Sequence, residues 1–190
     1  LNARPYQLEC LDAVANGWKE FRRQLIVVPT GGGKTVIFSK LAAVNAGRTL
    51  ILAHREELID QAVAKLRAAT GIEAEKDKAE HIAELDARVV VASVQTLMRE
   101  NRMNRWPQDH FDLVVCDEAH HAISPSWRGV LSRFDEHARV LGVTATPDRG
   151  DKKNLGVYFE NVLFSSDSSE VTGRMITLMA GSVGWWLLVT

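Results

Sequence analysis

Pro29-Thr30-Gly31-Gly32-Gly33-Lys34-Thr35 is a run suited to holding phosphate. It follows the apolar segment Leu25-Ile26-Val27-Val28 and leads into a helical pattern of Val36, Ile37, Leu41, Ala42 and Val44. The glycines let the backbone curl so that successive N–H groups face one anion, with the positive end of the helix dipole behind them. At this spacing Lys34 would reach the β- and γ-phosphates of a nucleoside triphosphate, and the Thr35 hydroxyl would hold Mg²⁺. The strict pattern has glycine where this chain has Val28. The plain alternative is a glycine-rich turn with a chance Lys-Thr.

A second group of chemical residues follows Asp112-Leu113-Val114-Val115-Cys116, which reads as a short buried strand. Asp117-Glu118-Ala119-His120 stands at its carboxyl end, where open α/β sheets bind ligands. Asp117 can take Mg²⁺, because a hard cation prefers carboxylate oxygen. Glu118 can orient and deprotonate an attacking water. An acidic pair here could also serve only as a helix cap. Downstream of a phosphate loop in the same domain, the catalytic reading is the stronger one.

The elements that must position these groups alternate along the chain. Pro5 suits a first helical turn, and Leu8, Leu11, Val14, Ala15, Trp18 and Phe21 recur at helical spacing. Strands are expected at about 25–28, 49–53, 88–93, 112–116 and 139–144, with helical patterns between them. This alternation specifies an α/β fold, a parallel sheet with helices on both faces. Residues 71–87, charged and mixed, are expected to form a solvated connection with a short helix. Ser165-Ser166-Asp167-Ser168-Ser169-Glu170 is linker-like, and an apolar tail spans 175–190. That tail is slightly short of the ~20 residues needed to cross a bilayer, so a membrane anchor is disfavoured against a strand, a docking segment or a truncated end.

The order of motifs resembles the first RecA-like domain of superfamily 2 helicases and translocases, in a DEAH-box form. Arg4-Pro5-Tyr6-Gln7 is similar to an adenine-reading motif and Thr30 to Thr35 to motif I. His54-Arg55-Glu56-Glu57-Leu58 is similar to motif Ia, and Ser93-Val94-Gln95-Thr96-Leu97 to a T-x-Q-x-L element. Asp117 to His120 matches motif II, and Thr144-Ala145-Thr146-Pro147 motif III. The likeness covers about residues 4 to 149 and is nearest to the type III restriction-enzyme ATPase subunits and related double-stranded DNA translocases. It implies a P-loop RecA-like fold that binds ATP and Mg²⁺ and moves on nucleic acid. It further implies a second RecA-like lobe supplying an arginine finger. No second set of motifs follows Pro147, so the expectation is one helicase ATP-binding lobe over 1–164, with 165–190 as linker and atypical tail and the second lobe absent.

The resemblance assigns the remaining residues. Arg4 and Gln7 join Thr30, Gly31, Gly32, Gly33, Lys34 and Thr35 as ATP-binding residues, Gln7 because an amide offers adenine both a donor and an acceptor. Lys34, Asp117 and Glu118 form the catalytic set, with Thr35 and Asp117 on Mg²⁺. His120, Thr144 and Thr146 would couple hydrolysis to domain motion. Arg55, Gln95 and Thr96 would contact nucleic-acid phosphates, although Ser93 and Thr96 could as easily cap a helix.

Composition narrows the field. The chain has 190 residues, 46% hydrophobic, enough for one domain with a real core. A net charge of −1 excludes a global basic field but not local phosphate contacts. Cys10 and Cys116 read as buried and reduced, and the chain opens with no basic-then-apolar signal, so a cytoplasmic location is expected. His120 and His121 are expected to point apart, and no structural zinc site is expected. The function expected is an ATP-hydrolysing lobe of a DNA helicase or translocase, with double-stranded DNA favoured and RNA still open. Its rivals are a nucleotide-dependent regulatory module or remnant, and a P-loop enzyme acting on a small molecule.

Overall fold

Runs such as Leu25-Ile26-Val27 and Leu50-Ile51-Leu52 have no polar side to give to water, so they become strands covered on both faces. The computed structural model describes residues 3–54, 56–145, 152–164, 176–181 and 184–188. The first part of the chain gives α1 (Pro5–Gly17), β1 (Arg23–Val27), α2 (Lys34–Val44), β2 (Thr49–Ala53), α3 (Glu56–Thr70) and β3 (Glu75–Asp77). Then come β4 (Val89–Ser93), α4 (Val94–Leu97), α5 (Glu100–Met103), β5 (Leu113–Asp117), a 3₁₀ turn (Ala119–His121) and α6 (Pro125–Leu131). The last elements are β6 (Arg139–Thr144), α7 (Lys152–Tyr158), β7 (Asn161–Phe164), β8 (Ile176–Gly181) and β9 (Gly184–Leu188).

Among the described residues the strands form one sheet in the order β3-β4-β2-β5-β6-β1-β7-β8-β9. From β3 to β7 every pairing is parallel, and β8 and β9 add an antiparallel hairpin on the β7 edge. The apolar tail is therefore part of the sheet, while the expected linker at 165–170 lies outside the described residues.

Alternate residues of each strand serve two separate cores. Ile26 and Val28 pack with Cys10, Val14, Ile37, Phe38, Leu41 and Ile59, so α1, α2 and α3 cover one face. Leu25 and Val27 pack with the opposite layer, where Trp106, Phe111, Trp127, Phe134, Tyr158 and Phe159 supply most of the volume. Trp106 and Trp127 are core residues, 0% and 1% exposed. Leu8, by contrast, is exposed despite its helical spacing. Gly142 in β6 is needed for space: a Cβ there would sit 2.5 Å from the Phe159 ring.

One expectation fails at the sheet edge. Residues 71–87 hold no helix; they form β3 and a tight turn bridging Lys78 and His81. Tertiary contacts override the local charge pattern. Lys76 and Lys78 pair with Asp60 of α3 at 2.6 and 2.5 Å, and Asp77 is buried beside Arg102 and the Trp106 indole N–H.

Candidate active site

Gly31 and Gly33 take φ of 84° and 74°, conformations that favour glycine, and place the loop's turn directly before α2. Gly32 is held for space, since a Cβ would lie 2.6 Å from Val28 and 3.0 Å from the Pro29 carbonyl. Nothing stands within 4 Å of a Cβ at Gly31, so the outer side of the loop is open. Lys34 and Thr35 follow in the first turn of α2, where unpaired N–H groups favour an anion. Val28 fills the position where the strict motif has glycine: its side chain is buried and its N–H donates to the Thr144 carbonyl at 2.9 Å.

α1 closes the loop from the other side. Gln7 is buried, its amide donating to the Gly32 carbonyl at 3.1 Å while its oxygen accepts from the Arg4 N–H at 2.9 Å. Tyr6 also donates its hydroxyl to the Gly32 carbonyl. The sequence places Gln7 at adenine. The structure shows it bracing the phosphate loop, with Arg4 exposed at the helix start.

The acidic pair sits at the end of β5, with β6 between it and the phosphate-loop strand β1. The Glu118 carboxylate meets the Lys34 ammonium at 2.8 Å and the His120 Nδ1 at 3.3 Å. Its backbone is left-handed, φ 55° and ψ 50°, which is uncommon away from glycine and recurs at functional sites. Asp117 accepts from the Glu118 N–H at 3.0 Å. Burial, and then the Glu118 charge, push the Asp117 carboxyl above the usual carboxylate range, with Lys34 pulling the other way. His120 Nδ1 lies 3.4 Å from the Thr144 hydroxyl. Lys34, Asp117, Glu118, His120 and Thr144 are thus brought together from α2, β5, the 3₁₀ turn and β6.

Other expected residues fare differently. Arg55 and Thr146 lie outside the described residues. Gln95 is exposed, but Thr96 is 0% exposed; its hydroxyl accepts from Ser93 at 2.8 Å and its N–H donates to the same Ser93 oxygen. Thr96 therefore belongs to a helix cap and presents nothing to a phosphate. His120 and His121 do not point apart: the 3₁₀ turn brings their ring centroids to 4.1 Å. His54 also stacks on His121, which no sequence spacing could have revealed. A cleft of about 580 Å³ lined by Trp18, Arg22, Asp112 and Arg139 lies at the amino ends of the strands, away from Lys34 and Glu118.

The donor set fits a nucleotide and its metal. Thr35 and Asp117 offer only hard oxygens, as Mg²⁺ prefers, and Lys34 already stands against the one carboxylate a phosphate would displace.

A family model described as type III restriction enzyme, res subunit, matches residues 1–149. The Saccharomyces cerevisiae protein named as the ATP-dependent helicase IRC3 is 34% identical over 182 residues, covering 85% of this chain and 26% of the relative. The DNA 3'-5' translocase XPB2 of Sulfurisphaera tokodaii is 26% identical over 186 residues, covering 93% of this chain and 38% of the relative. The helicase domain of Pyrococcus furiosus Hef superposes with a TM-score of 0.67 at 25% identity, covering 84% of this chain and 38% of that one. For the UvsW helicase of bacteriophage T4 the TM-score is 0.67 at 21% identity, over 86% and 60% of the two chains, a likeness of fold. The chain spans about a quarter to two fifths of the lengths of IRC3 and XPB2. The chain belongs to the type III restriction enzyme res subunit family, and its parallel sheet is the RecA-like domain of the superfamily 2 helicases.

Proposed function

We propose that this chain is the ATP-binding lobe of a DNA helicase or translocase in the DEAH-box form, and that it hydrolyses ATP with Mg²⁺ to drive movement on double-stranded DNA. The observation that carries this reading is the 2.8 Å contact between Lys34 and Glu118. It brings the phosphate-binding cation and the water-activating carboxylate to one point from two separate parts of the chain.

Lys34 and the N–H groups of the glycine loop bind and orient the β- and γ-phosphates. Thr35 and Asp117 hold the metal. When bound, Mg²⁺ neutralises charge that develops on the phosphate oxygens. An arriving triphosphate competes with Glu118 for Lys34 and so releases the carboxylate. Glu118 then orients a water in line with the γ-phosphate and accepts its proton. His120 stays between Glu118 and the Thr144 hydroxyl, a position suited to coupling the γ-phosphate to β6, with Thr146 completing the set. Gln7 and Arg4 border the loop on the side assigned to adenine. A second RecA-like lobe, in a longer chain or a partner subunit, supplies the arginine finger, worth about 10³–10⁵ in rate. Arg55 and the exposed Gln95 contact the nucleic-acid backbone without reading bases. DNA is favoured because XPB2 is named as a DNA translocase. The two free, buried cysteines suit a reducing compartment, and cytoplasmic residence is part of the proposal.

The test is the ATPase rate of the purified chain alone and with double-stranded DNA, single-stranded DNA or RNA. The proposal expects slow basal turnover, raised most by double-stranded DNA. Strongest stimulation by RNA would overturn the choice of track, and absence of both nucleotide binding and turnover would overturn the site.

A further inference from the structure

We infer that His54 and His121 are positioning residues that carry the state of the phosphate site to the chain leaving β2, through a stack of imidazole rings. The inference rests on the ATP-site reading above. His54 is the first residue after β2, and its ring lies parallel to His121, with centroids 4.1 Å apart and planes at 18°. Trp127 of α6 lies beside the pair, at 6.5 Å from His54 and 6.3 Å from His121, with planes at 21° in each case. His121 in turn touches the His120 ring at 4.1 Å, tilted by 45°. His120 contacts Glu118 and Thr144, and Glu118 contacts Lys34. The path from the phosphate-binding lysine to the end of β2 is therefore continuous in van der Waals or polar contact.

Two features argue that the stack has a task beyond filling space. Trp127 is 1% exposed, so the histidine pair is bounded on one side by a buried core side chain that leaves it little room to move that way. His54 Nδ1 is buried with no hydrogen-bond partner among the described residues, so that nitrogen does not tie the ring in place. The contact that the structure gives the His54 ring is the stack on His121 and the neighbouring Trp127.

The stack has a direct consequence when nucleotide arrives. A phosphate that draws Lys34 away leaves Glu118 with His120 as its side-chain partner. Any shift of His120 presses on His121, and the parallel faces pass the displacement to His54. The chain then runs into Arg55, which the motif order assigns to a nucleic-acid phosphate. Nucleotide state and the nucleic-acid contact are in this way joined by ring packing, separately from the Thr144 route.

The test follows the imidazole carbon and proton resonances of His54 in the whole chain as a non-hydrolysable ATP analogue and Mg²⁺ are added, with affinity measured separately by calorimetry. In the wild type the analogue shifts the His54 signals. His121→Ala binds the analogue with unchanged affinity but loses that shift, and His121→Phe, which keeps a flat ring, retains it. A nucleotide-induced shift in His121→Ala equal to wild type would overturn the inference, as would an unmoved His54 in wild type with analogue bound. Should His121→Ala fail to fold, His121→Leu, which keeps bulk but has no flat face, takes its place with the same expected loss of the shift, and a wild-type shift in it would overturn the inference. Failure of the wild type to bind the analogue would bring down the ATP-site reading itself, an outcome the calorimetry distinguishes from a silent His54.

Discussion

Glu118 and Asp117 both sit at a cost to the folded chain, which is how residues committed to chemistry often sit. The left-handed backbone of Glu118 disfavours folding by roughly 1–2 kcal/mol for a non-glycine residue. Asp117 is buried beside a second carboxylate, which raises its pKa above the ordinary 3.8. A carboxyl with a raised folded pKa stabilises the folded state less as pH climbs from 3.8 through the folded value, and the penalty persists above it. Asp117→Asn keeps the acceptor for the Glu118 N–H and removes that penalty. We predict that in metal-free buffer it raises the melting temperature by a few degrees at neutral pH, with the gain shrinking in acid, while it weakens Mg²⁺-dependent nucleotide binding. A melting temperature unchanged or lowered at neutral pH would contradict this. The sequence singled out the glycine loop, Lys34, Asp117 and Glu118 as candidates, because spacing along the chain carries them, and the fold brings Lys34 and Glu118 together. It could not show the burial of Thr96, the Gln7 bond to Gly32 or the histidine stack, which depend on what another element places opposite.

Elements were legible where burial alone dictates them. The apolar runs at 49–53 and 139–144 became β2 and β6 with the same limits, and the other anticipated strands differ at their ends by one or two residues. β3 was not legible, because Glu75-Lys76-Asp77 has no strand signal of its own. It exists through partners distant in sequence: Asp60 on α3, Arg102 on α5, and Trp106. Asp77 and Arg102 are 0% and 7% exposed at their side chains and form an ion pair at 3.2 Å. Burial holds the Asp77 carboxyl above its ordinary range, with Arg102 opposing that shift. We predict that Arg102→Met destabilises the chain by about 3 kcal/mol at neutral pH, because it leaves a buried carboxylate unpaired. The loss should lessen as pH falls through the folded pKa of Asp77, since a protonated carboxyl no longer needs the guanidinium. Urea midpoints of both proteins followed from pH 8 down into the acid range check this, and a loss that stays constant until the wild type itself unfolds would contradict it.

Across the whole molecule, the sheet order makes the site. The sequence specified parallel strands and two helical layers but gave no rule for which strands are neighbours. Placing β6 between β1 and β5 puts Thr144 beside both the phosphate loop and the acidic turn, with its carbonyl on Val28 and its hydroxyl against His120. The sheet also takes in 176–181 and 184–188 as an antiparallel edge, the strand reading among those that the apolar tail had left open. Lys34 and Glu118 meet only because the folded sheet brings the ends of β1 and β5 to one side. In the proposed function this meeting point cleaves ATP. Single-turnover hydrolysis of γ-labelled ATP, with bound nucleotide measured in parallel, tests it most directly. Glu118→Gln should hold ATP–Mg²⁺ as tightly as wild type yet cleave it about 10²–10⁴-fold more slowly, while Lys34→Ala should lose tight binding. Wild-type cleavage by Glu118→Gln, or wild-type affinity in Lys34→Ala, would mean that these two residues do not form a site of ATP cleavage.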